Sequence, residues 1–437
     1  MEHYLGASQC GCGKSHDVAV DELVIGKGAV NRLPEFVKKY GAKKPFILAD
    51  CNTFLAAGEQ VCKVLESEGI PFSKYIFQDK SLEPDERAVG SVIMHFDVDC
   101  DLIIGVGSGV INDLGKILSN VSGRKYIIVG TATSMDGYAS ATSSMAMDGL
   151  KVSLNSRCAD VIIGDTDILK NAPEHMLRAG LGDMLAKYVS IAEWRISHVI
   201  TGEYYCEKIA QLVRDALKKC VDNAAGLMKR EEQALEAVFE GLVISGIAMA
   251  YAGVSRPASG VEHYFSHVWD MRGLEFGTQV DLHGIQCAVA TLQTVKLYEI
   301  IKGYTPDEQI AFQYVNKFSF DAWQAELKEF LGNSADPMIA KEAQDKKYDK
   351  DSHCARFKRI SENWETIRQI IHEELPTYQK LADLMDFVGI PKELESLGGD
   401  NAVAKMTFKA TKDIRDKYVL SRLAWDLGIL DELCEQM

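Results

Sequence analysis

Residues 100–120 read CDLIIGVGSGVINDLGKILSN, and this stretch decides the fold class. A short apolar run ends in the glycine-rich turn Gly105–Gly109, and a helix-like pattern starts directly after it. Small residues between a strand and a helix let backbone N–H groups approach a phosphate, and the helix dipole favours negative charge there. Because position 110 is Val, the stretch departs from the fingerprint G-x-G-x-x-G, and a simple tight turn stays an alternative.

Strand-like and helix-like segments alternate on both sides of this turn through the first 165 residues. Strands that alternate with helices indicate βαβ units and a mostly parallel sheet. An Asp148-Gly149 pair between alternating residues also predicts a β-hairpin. The other strand-like runs are PFILAD (45–50), PFSKYIF (71–77), KYIIVGTATS (125–134) and DVIIGD (160–165).

The pattern changes after Pro173, where strand-like runs stop and helix-period segments continue to the C-terminus. We therefore predict two domains. Residues 1–170 form an α/β domain with a Rossmann-like parallel sheet that binds a nucleotide, and residues 171–437 form an all-α domain that binds metal and substrate.

The composition limits the partners and the compartment. The chain of 437 residues has 48 basic and 63 acidic side chains, a net charge of −15, which argues against binding nucleic acid or an anionic membrane. Eleven cysteines without a dense framework are typical of free thiols in a reducing cytosol. The N-terminal residues lack a signal-peptide pattern. The most apolar stretch, 241–254, is about 14 residues and too short to span a bilayer. We expect a cytoplasmic protein.

Polar side chains follow the strand-like runs, where open α/β sheets bind their ligands. Asp50 ends an early run and is placed to accept hydrogen bonds from a ribose hydroxyl, although an acidic residue there also commonly starts a turn. Thr131, Ser134 and Asp136 follow the run that starts at Lys125.

A metal site is indicated by three histidines within a short stretch and one isolated carboxylate. His263 and His267 are four residues apart and share a helix face, and His283 precedes the next helix. Asp183 lies within an apolar helix, where a carboxylate needs a partner such as a cation. Taken singly, each histidine is equally compatible with a surface or core position; together they suit a divalent ion with an open coordination position.

The N-terminal sequence Cys10-Gly-Cys12-Gly-Lys-Ser-His16 carries three further soft ligands. Three interpretations stay open for it: a turn with free thiols, an ancillary metal site, or a redox role.

These motifs in this order resemble the superfamily of iron-containing alcohol dehydrogenases, glycerol dehydrogenases and dehydroquinate synthases, from about residue 17 to 430. The branch that looks most similar is that of the glycerol-1-phosphate dehydrogenases. The stretches that carry this likeness are GVGSGVINDLGK, GTATSMDGYASATSSM, APEHMLRAGLGDMLAKY, and SRPASGVEHYFSH with DLHG.

The resemblance implies a set of site residues. The metal ligands would be Asp183, His263 and His283, with one divalent ion per chain. The iron-dependent branch has a fourth ligand, His, where this chain has Lys187, which favours Zn²⁺ or Ni²⁺ over Fe²⁺. The cofactor, NAD(H) or NADP(H), would contact Asp50, Gly107, Ser108, Gly109, Thr131 and Ser134.

The activity that the resemblance implies is hydride transfer at C2 between sn-glycerol 1-phosphate and dihydroxyacetone phosphate. Asp136 and His267 would be catalytic residues that also contact the substrate. Lys187 and Arg256, with Lys151 as a further candidate, would hold its phosphate. By the same analogy we expect a homo-oligomer.

Three alternatives remain at this point. A glycerol dehydrogenase would share metal, cofactor and fold but act on the unphosphorylated polyol. A dehydroquinate synthase-like lyase carries Glu where this chain has Asp183. A non-catalytic binding protein is disfavoured by the intact Asp/His/His set and the glycine turn.

Overall fold

The computed structural model describes residues 8–148, 150–397 and 400–437. Residues 1–7, which include the start of the segment examined for a signal peptide, lie outside the described residues, and so does Gly149 of the predicted hairpin turn.

The strands concentrate in the first part of the chain, where the sequence predicts them. In the described residues they are β1 (Ser8–Gln9), β2 (Ser15–His16), β3 (Glu22–Gly26), β4 (Pro45–Asp50), β5 (Ser73–Phe77), β6 (Leu102–Gly107), β7 (Lys125–Gly130), β8 (Thr142–Met147), β9 (Leu150–Asn155) and β10 (Val161–Asp165).

The helices between the strands and into the middle of the chain are α1 (Leu33–Lys39), α2 (Cys51–Thr53), α3 (Glu59–Ser67), α4 (Glu86–His95), α5 (Gly109–Ser122), α6 (Thr166–Leu169), α7 (Glu174–Leu185), α8 (Lys187–Thr201), α9 (Glu207–Asp222), α10 (Ala224–Met228) and α11 (Glu232–Ala252). The remaining helices are α12 (Val261–Phe276), α13 (His283–Lys302), α14 (Glu308–Asn316), α15 (Phe320–Leu331), α16 (Ala335–Asp345), α17 (Lys350–Glu362), α18 (Trp364–Glu374), α19 (Tyr378–Val388), α20 (Asn401–Ile414), α21 (Leu420–Leu427) and α22 (Leu430–Cys434).

The main sheet is six-stranded in the order β3-β10-β7-β6-β4-β5, and its neighbouring strands run parallel. This arrangement confirms the predicted parallel α/β sheet followed by a mostly helical part. Strands β4, β6, β7 and β10 are buried along nearly their whole length, as expected when helices cover both faces of a parallel sheet. The predicted hairpin is the antiparallel pair β8–β9.

The chain divides into two compact units, which differ from the predicted domains. Unit 1 comprises Met1–Met184 and Lys208–Ser255, and unit 2 comprises Leu185–Glu207 and Arg256–Met437. The predicted boundary between residues 170 and 171 therefore lies inside unit 1. The physical reason is α11, which belongs with the sheet: its Phe239 ring fills the space that side chains at Gly130 and Gly164 would occupy.

Helix α11 is the one described helix that is long and apolar enough to cross a membrane by length and composition. Most of α11 is buried in the interior of unit 1, where its residues Val238, Phe239 and Leu242 form part of the core. A buried core helix satisfies the same test as a membrane span, and packing on the sheet accounts for this one.

Candidate active site

In unit 1 the carboxyl ends of the parallel strands carry the predicted cofactor residues. Asp50, the last residue of β4, caps the following helix: its Oδ1 accepts the amides of Asn52 at 2.8 Å and Thr53 at 3.0 Å. The turn-forming role that the sequence left open for Asp50 is therefore present. Because both bonds run to the same carboxylate oxygen, capping and binding a ribose hydroxyl are compatible roles.

The glycine turn lies between β6 and the N-terminus of α5. A side chain at Gly107 would meet the side chain of Ile111 at 2.5 Å, so the turn tolerates only glycine there. The carbonyl oxygen of Gly107 accepts the amide of Thr131 at 3.1 Å, which joins the turn to the end of β7. Ser108 and Gly109 start α5, whose first amides give the N-terminus its affinity for anions.

The loop after β7 is pressed against α7. A Cβ at Gly180 would lie 1.8 Å from the carbonyl oxygen of Thr133, so the helix approaches the loop backbone directly. Thr131 and Ser134, the predicted cofactor contacts of this loop, are almost buried within unit 1. The close approach fixes the loop relative to the helix that carries Asp183.

The structure brings two predicted site carboxylates together in unit 1. The backbone amide of Asp136 donates to Asp183 Oδ2 at 2.9 Å. The hydroxyl of Ser245 in α11 donates to Asp136 Oδ2 at 2.8 Å. Asp183 is fully buried. These bonds hold the two carboxylates in fixed positions.

In unit 2 two predicted metal ligands lie side by side. The rings of His263 in α12 and His283, the first residue of α13, have centroids 5.1 Å apart. His263 Nδ1 donates to Glu262 Oε1 at 2.7 Å, and His283 Nδ1 lies 2.8 Å from the hydroxyl oxygen of Ser266. An oxygen partner on Nδ1 fixes the orientation of the ring, as it does in ligating histidines, where Nε2 then faces the metal.

Cys287 joins this pair, and sequence reasoning missed it. One ligand atom from each of His263, His283 and Cys287 lies within 4.8 Å of the others. Burial alone would raise the pKa of the Cys287 thiol, but the facing His263 and His283 outweigh it and hold the pKa below its ordinary value. A signal was present in the sequence, because Cys287 follows His283 by four residues on one helix.

His267 lies beside the same pair, with its ring centroid 6.4 Å from that of His283. It is less buried than His263, in line with a role towards substrate rather than in the interior. The donor set of two oriented imidazoles suits a borderline divalent ion such as Zn²⁺ or Ni²⁺, so the residues of unit 2 fit the implied metal.

Two of the predicted phosphate ligands, Arg256 and Lys187, are buried and have partners within the protein. Arg256 is buried, and its guanidinium donates to Glu203 Oε1 at 2.7 Å, to the Tyr418 carbonyl at 3.0 Å and to Ser197 Oγ at 3.1 Å. Lys187 is also buried, and its ammonium donates to the Ala258 carbonyl at 3.0 Å. Charge in a sequence does not reveal such internal partners. The phosphate contacts of Lys187 and Arg256 stay predictions, and both side chains already have partners within the protein.

A buried carboxyl group lies behind the histidines. Glu193 accepts the amides of Val261 and Leu420, both at 2.8 Å, and its Oε2 faces Gly260, as does Oε2 of Glu262. Burial, together with the charge of Glu262, raises the pKa of Glu193 to about 8. Sequence reasoning missed this residue because a single Glu in a helix gives no sign of burial.

Comparison with known proteins agrees with this geometry. Residues 24–173 match the family described as iron-containing alcohol dehydrogenase. A glycerol-1-phosphate dehydrogenase [NAD(P)+] of Halalkalibacterium halodurans is 35% identical over 297 residues, which are 67% of this chain and 74% of the relative. Its counterpart in Bacillus licheniformis is 27% identical over 432 residues, covering 98% of this chain and 94% of that protein.

Among solved structures, the fold is similar to that of glycerol dehydrogenase from Schizosaccharomyces pombe. The TM-score is 0.61 at 18% identity, with 99% of this chain and 93% of the other covered. At that identity the likeness concerns the fold. Together with the parallel sheet and the oriented histidine pair, the sequence matches show that this chain belongs to the glycerol-1-phosphate dehydrogenase family within the iron-containing alcohol dehydrogenases.

Proposed function

We propose that this chain is a metal-dependent, NAD(P)-linked oxidoreductase that interconverts sn-glycerol 1-phosphate and dihydroxyacetone phosphate by hydride transfer at C2. The observation that carries the proposal is the pair His263 and His283, each held at Nδ1 by an oxygen, in a member of this family. Hydride transfer to a ketone needs a polarised oxygen and a fixed geometry more than a covalent catalyst.

The proposed metal ligands are Asp183, His263 and His283. When bound, the ion polarises the C2 oxygen and stabilises the charge that develops there. Glu262 holds the ring of His263, and Ser266 that of His283. Zn²⁺ or Ni²⁺ is proposed rather than Fe²⁺, because Lys187 stands where the iron branch has a fourth ligand and Cys287 adds a soft donor beside the histidines.

The proposed cofactor site uses the carboxyl edge of the sheet in unit 1. The amides at Gly107 to Gly109, where β6 ends and α5 begins, would hold the diphosphate. Asp50 would accept a ribose hydroxyl at Oδ2 and disfavour a 2′-phosphate, which favours NAD(H) over NADP(H). Thr131 and Ser134 would line the site at the end of β7.

Proton transfer to the C2 oxygen is proposed to pass through His267. Its ring lies next to His283, and it is the more exposed of the two residues of α12 in this cluster. Asp136 would contact the substrate, oriented by Ser245 and by the bond of its amide to Asp183. Lys151 in β9 remains a proposed partner of the substrate phosphate.

We further propose that the protein works in the cytoplasm as a homo-oligomer. The support for the compartment is that none of the eleven cysteines forms a disulfide. The support for the oligomer is the resemblance alone.

The decisive experiment is NADH oxidation by the purified protein after loading with Zn²⁺ or Ni²⁺. We expect turnover with dihydroxyacetone phosphate at least 100-fold above that with dihydroxyacetone. An Asp50→Asn variant should raise KM for NADH, with Asp79→Asn in an exposed loop as its matched control. Faster turnover of the unphosphorylated ketone would instead indicate a polyol dehydrogenase. The proposal would be contradicted if neither ketone were reduced, with NADPH and other metals tested as well.

A further inference from the structure

A hairpin at the start of the described chain carries Cys10, Cys12 and His16. Strand β1 pairs with β2 in an antiparallel register that sets Ser8 opposite His16. Between them a turn closes through a bond from the amide of Gly13 to the carbonyl of Cys10, at 3.1 Å. Gly13 has a φ of 85°, which glycine adopts without strain. The turn therefore folds the CxC segment back towards the histidine.

The three side chains converge within unit 1. One ligand atom from each of Cys10, Cys12 and His16 lies within 4.8 Å of the others. Cys12 Sγ is 3.5 Å from His16 Nε2. Two thiols and an imidazole at such separations are a soft donor set, the kind that Zn²⁺ binds at structural sites.

The histidine is oriented as zinc-ligating histidines are. His16 is buried, and its Nδ1 lies 3.2 Å from the backbone carbonyl oxygen of Tyr251. A carbonyl oxygen only accepts, so Nδ1 carries the proton and Nε2 presents its lone pair on the side of Cys12. The ring also stacks on Tyr251, with centroids 5.4 Å apart. Tyr251 lies in the last turn of α11, so the histidine ties the hairpin to that helix.

We propose that Cys10, Cys12 and His16 bind a structural zinc ion that fastens the N-terminal hairpin to the end of α11. None of these residues belongs to the proposed reaction site. Zn²⁺ takes four ligands at structural sites, and the fourth is either a water or one of the chain's other cysteines, which number nine. A short two-stranded hairpin is only marginally stable by itself. The bound ion would supply the stability that the hairpin cannot obtain from an apolar core.

The test separates this ion from the one at the proposed reaction site. The protein tested is the full chain without a histidine tag, purified under reducing conditions. It contains the substitution His283→Ala, which removes a proposed metal ligand of the reaction site. Zinc is counted by elemental analysis, and X-ray absorption reports sulfur at about 2.3 Å from it. Because neither readout needs substrate, failure here is distinguishable from failure of the proposed activity.

We expect one zinc per chain with at least two sulfur ligands in this background. Adding Cys12→Ser should remove it, whereas the exposed control Cys354→Ser and the reaction-site control Cys287→Ser should retain it. If Cys12→Ser fails to fold, His16→Cys should keep the ion and add one sulfur ligand. In the His283→Ala protein with His16 intact, two sulfur ligands indicate a water as the fourth ligand, and three indicate a further cysteine. A chain without bound zinc, zinc without sulfur, or a Cys10–Cys12 disulfide in its place would overturn the proposal.

Discussion

A single carboxylate decides how His263 faces its surroundings. Glu262 Oε1 accepts both the amide of Gly260 and Nδ1 of His263, at 2.7 Å each, so it is fixed before it orients the imidazole. Its other oxygen, Oε2, is buried without a hydrogen-bond partner among the described residues. A group so costly to bury is retained where a cation nearby offsets its charge.

Glu262→Ala should therefore weaken binding of the divalent ion by about 10–100-fold, because the imidazole loses the partner that sets its orientation. Competition with a chromophoric chelator for Co²⁺ or Zn²⁺ measures this directly. Glu262→Gln keeps an acceptor and should lose less, and Glu308→Gln on an exposed helix face serves as the control. Equal affinity in the Ala variant and the control would show that Glu262 has no part in metal binding.

Residue-level reasoning from sequence worked where a residue type contradicted its surroundings. Asp183 stands out because a carboxylate within an apolar helix needs a partner, and the structure buries it beside the amide of Asp136. The internal partners of Arg256 could not be predicted, since Glu203, Ser197 and Tyr418 come from distant parts of the chain. Charge is visible in a sequence, but its long-range neutralisation is not.

At the level of elements, α7 and the loop after β7 depend on the absence of a side chain. Gly180→Ala places a methyl group 1.8 Å from the Thr133 carbonyl oxygen, and backbone on both sides leaves little room to yield. We expect a loss of about 3 kcal/mol in the free energy of unfolding, at the upper end for overpacking.

The matched control for this change is Gly90→Ala in α4, where an added Cβ meets no atom within 4 Å. That substitution should stabilise the protein by up to about 1 kcal/mol through helix propensity. Urea unfolding of both variants measures the contrast. Comparable stability of the two would show that α7 shifts away from the loop at little cost.

Strands and helices could be predicted from the sequence where their residues are buried along the whole element. Strands β4 and β10 were located from their unbroken apolar runs. Strand β3 was missed, because ELVIG lies at the edge of the sheet, is only partly buried and offers a run of just three apolar residues. The packing of helix α11 on the sheet could not be predicted, because its apolar residues occur all round and no single face indicates the sheet as its partner.

The free energy of unfolding of the whole molecule should depend on pH through the protonation of Glu193. Its pKa is raised from 4.5 to about 8 in the folded protein by burial and then by the charge of Glu262. Between these values the unfolded chain has released a proton that the folded chain keeps. Stability from this group is therefore complete below pH 4.5 and is lost as the pH rises towards 8, by up to about 1.4 kcal/mol per pH unit.

Glu193→Gln removes this dependence and keeps one carbonyl oxygen, which accepts either the amide of Val261 or that of Leu420. The variant should gain stability relative to the parent protein as the pH is raised from 5.5 to 7.5. Urea unfolding at both values, in the presence of chelator, measures the difference in slope, with Glu365→Gln on the surface as control. Parallel slopes for all three proteins would exclude a protonated Glu193 in the folded state.

The pairing of β3 with β10 has a consequence for synthesis on the ribosome. The edge strand at residues 22–26 finds its neighbour only when residues 161–165 have emerged, about 140 residues later. Phe239 of α11 then covers Gly130 and Gly164 after a further stretch has been made. The nascent chain thus exposes an incomplete, apolar sheet until more than half of the chain has been translated. Such long-range pairing folds slowly and invites aggregation, so yield in the cell should depend on how well chaperones protect this interval.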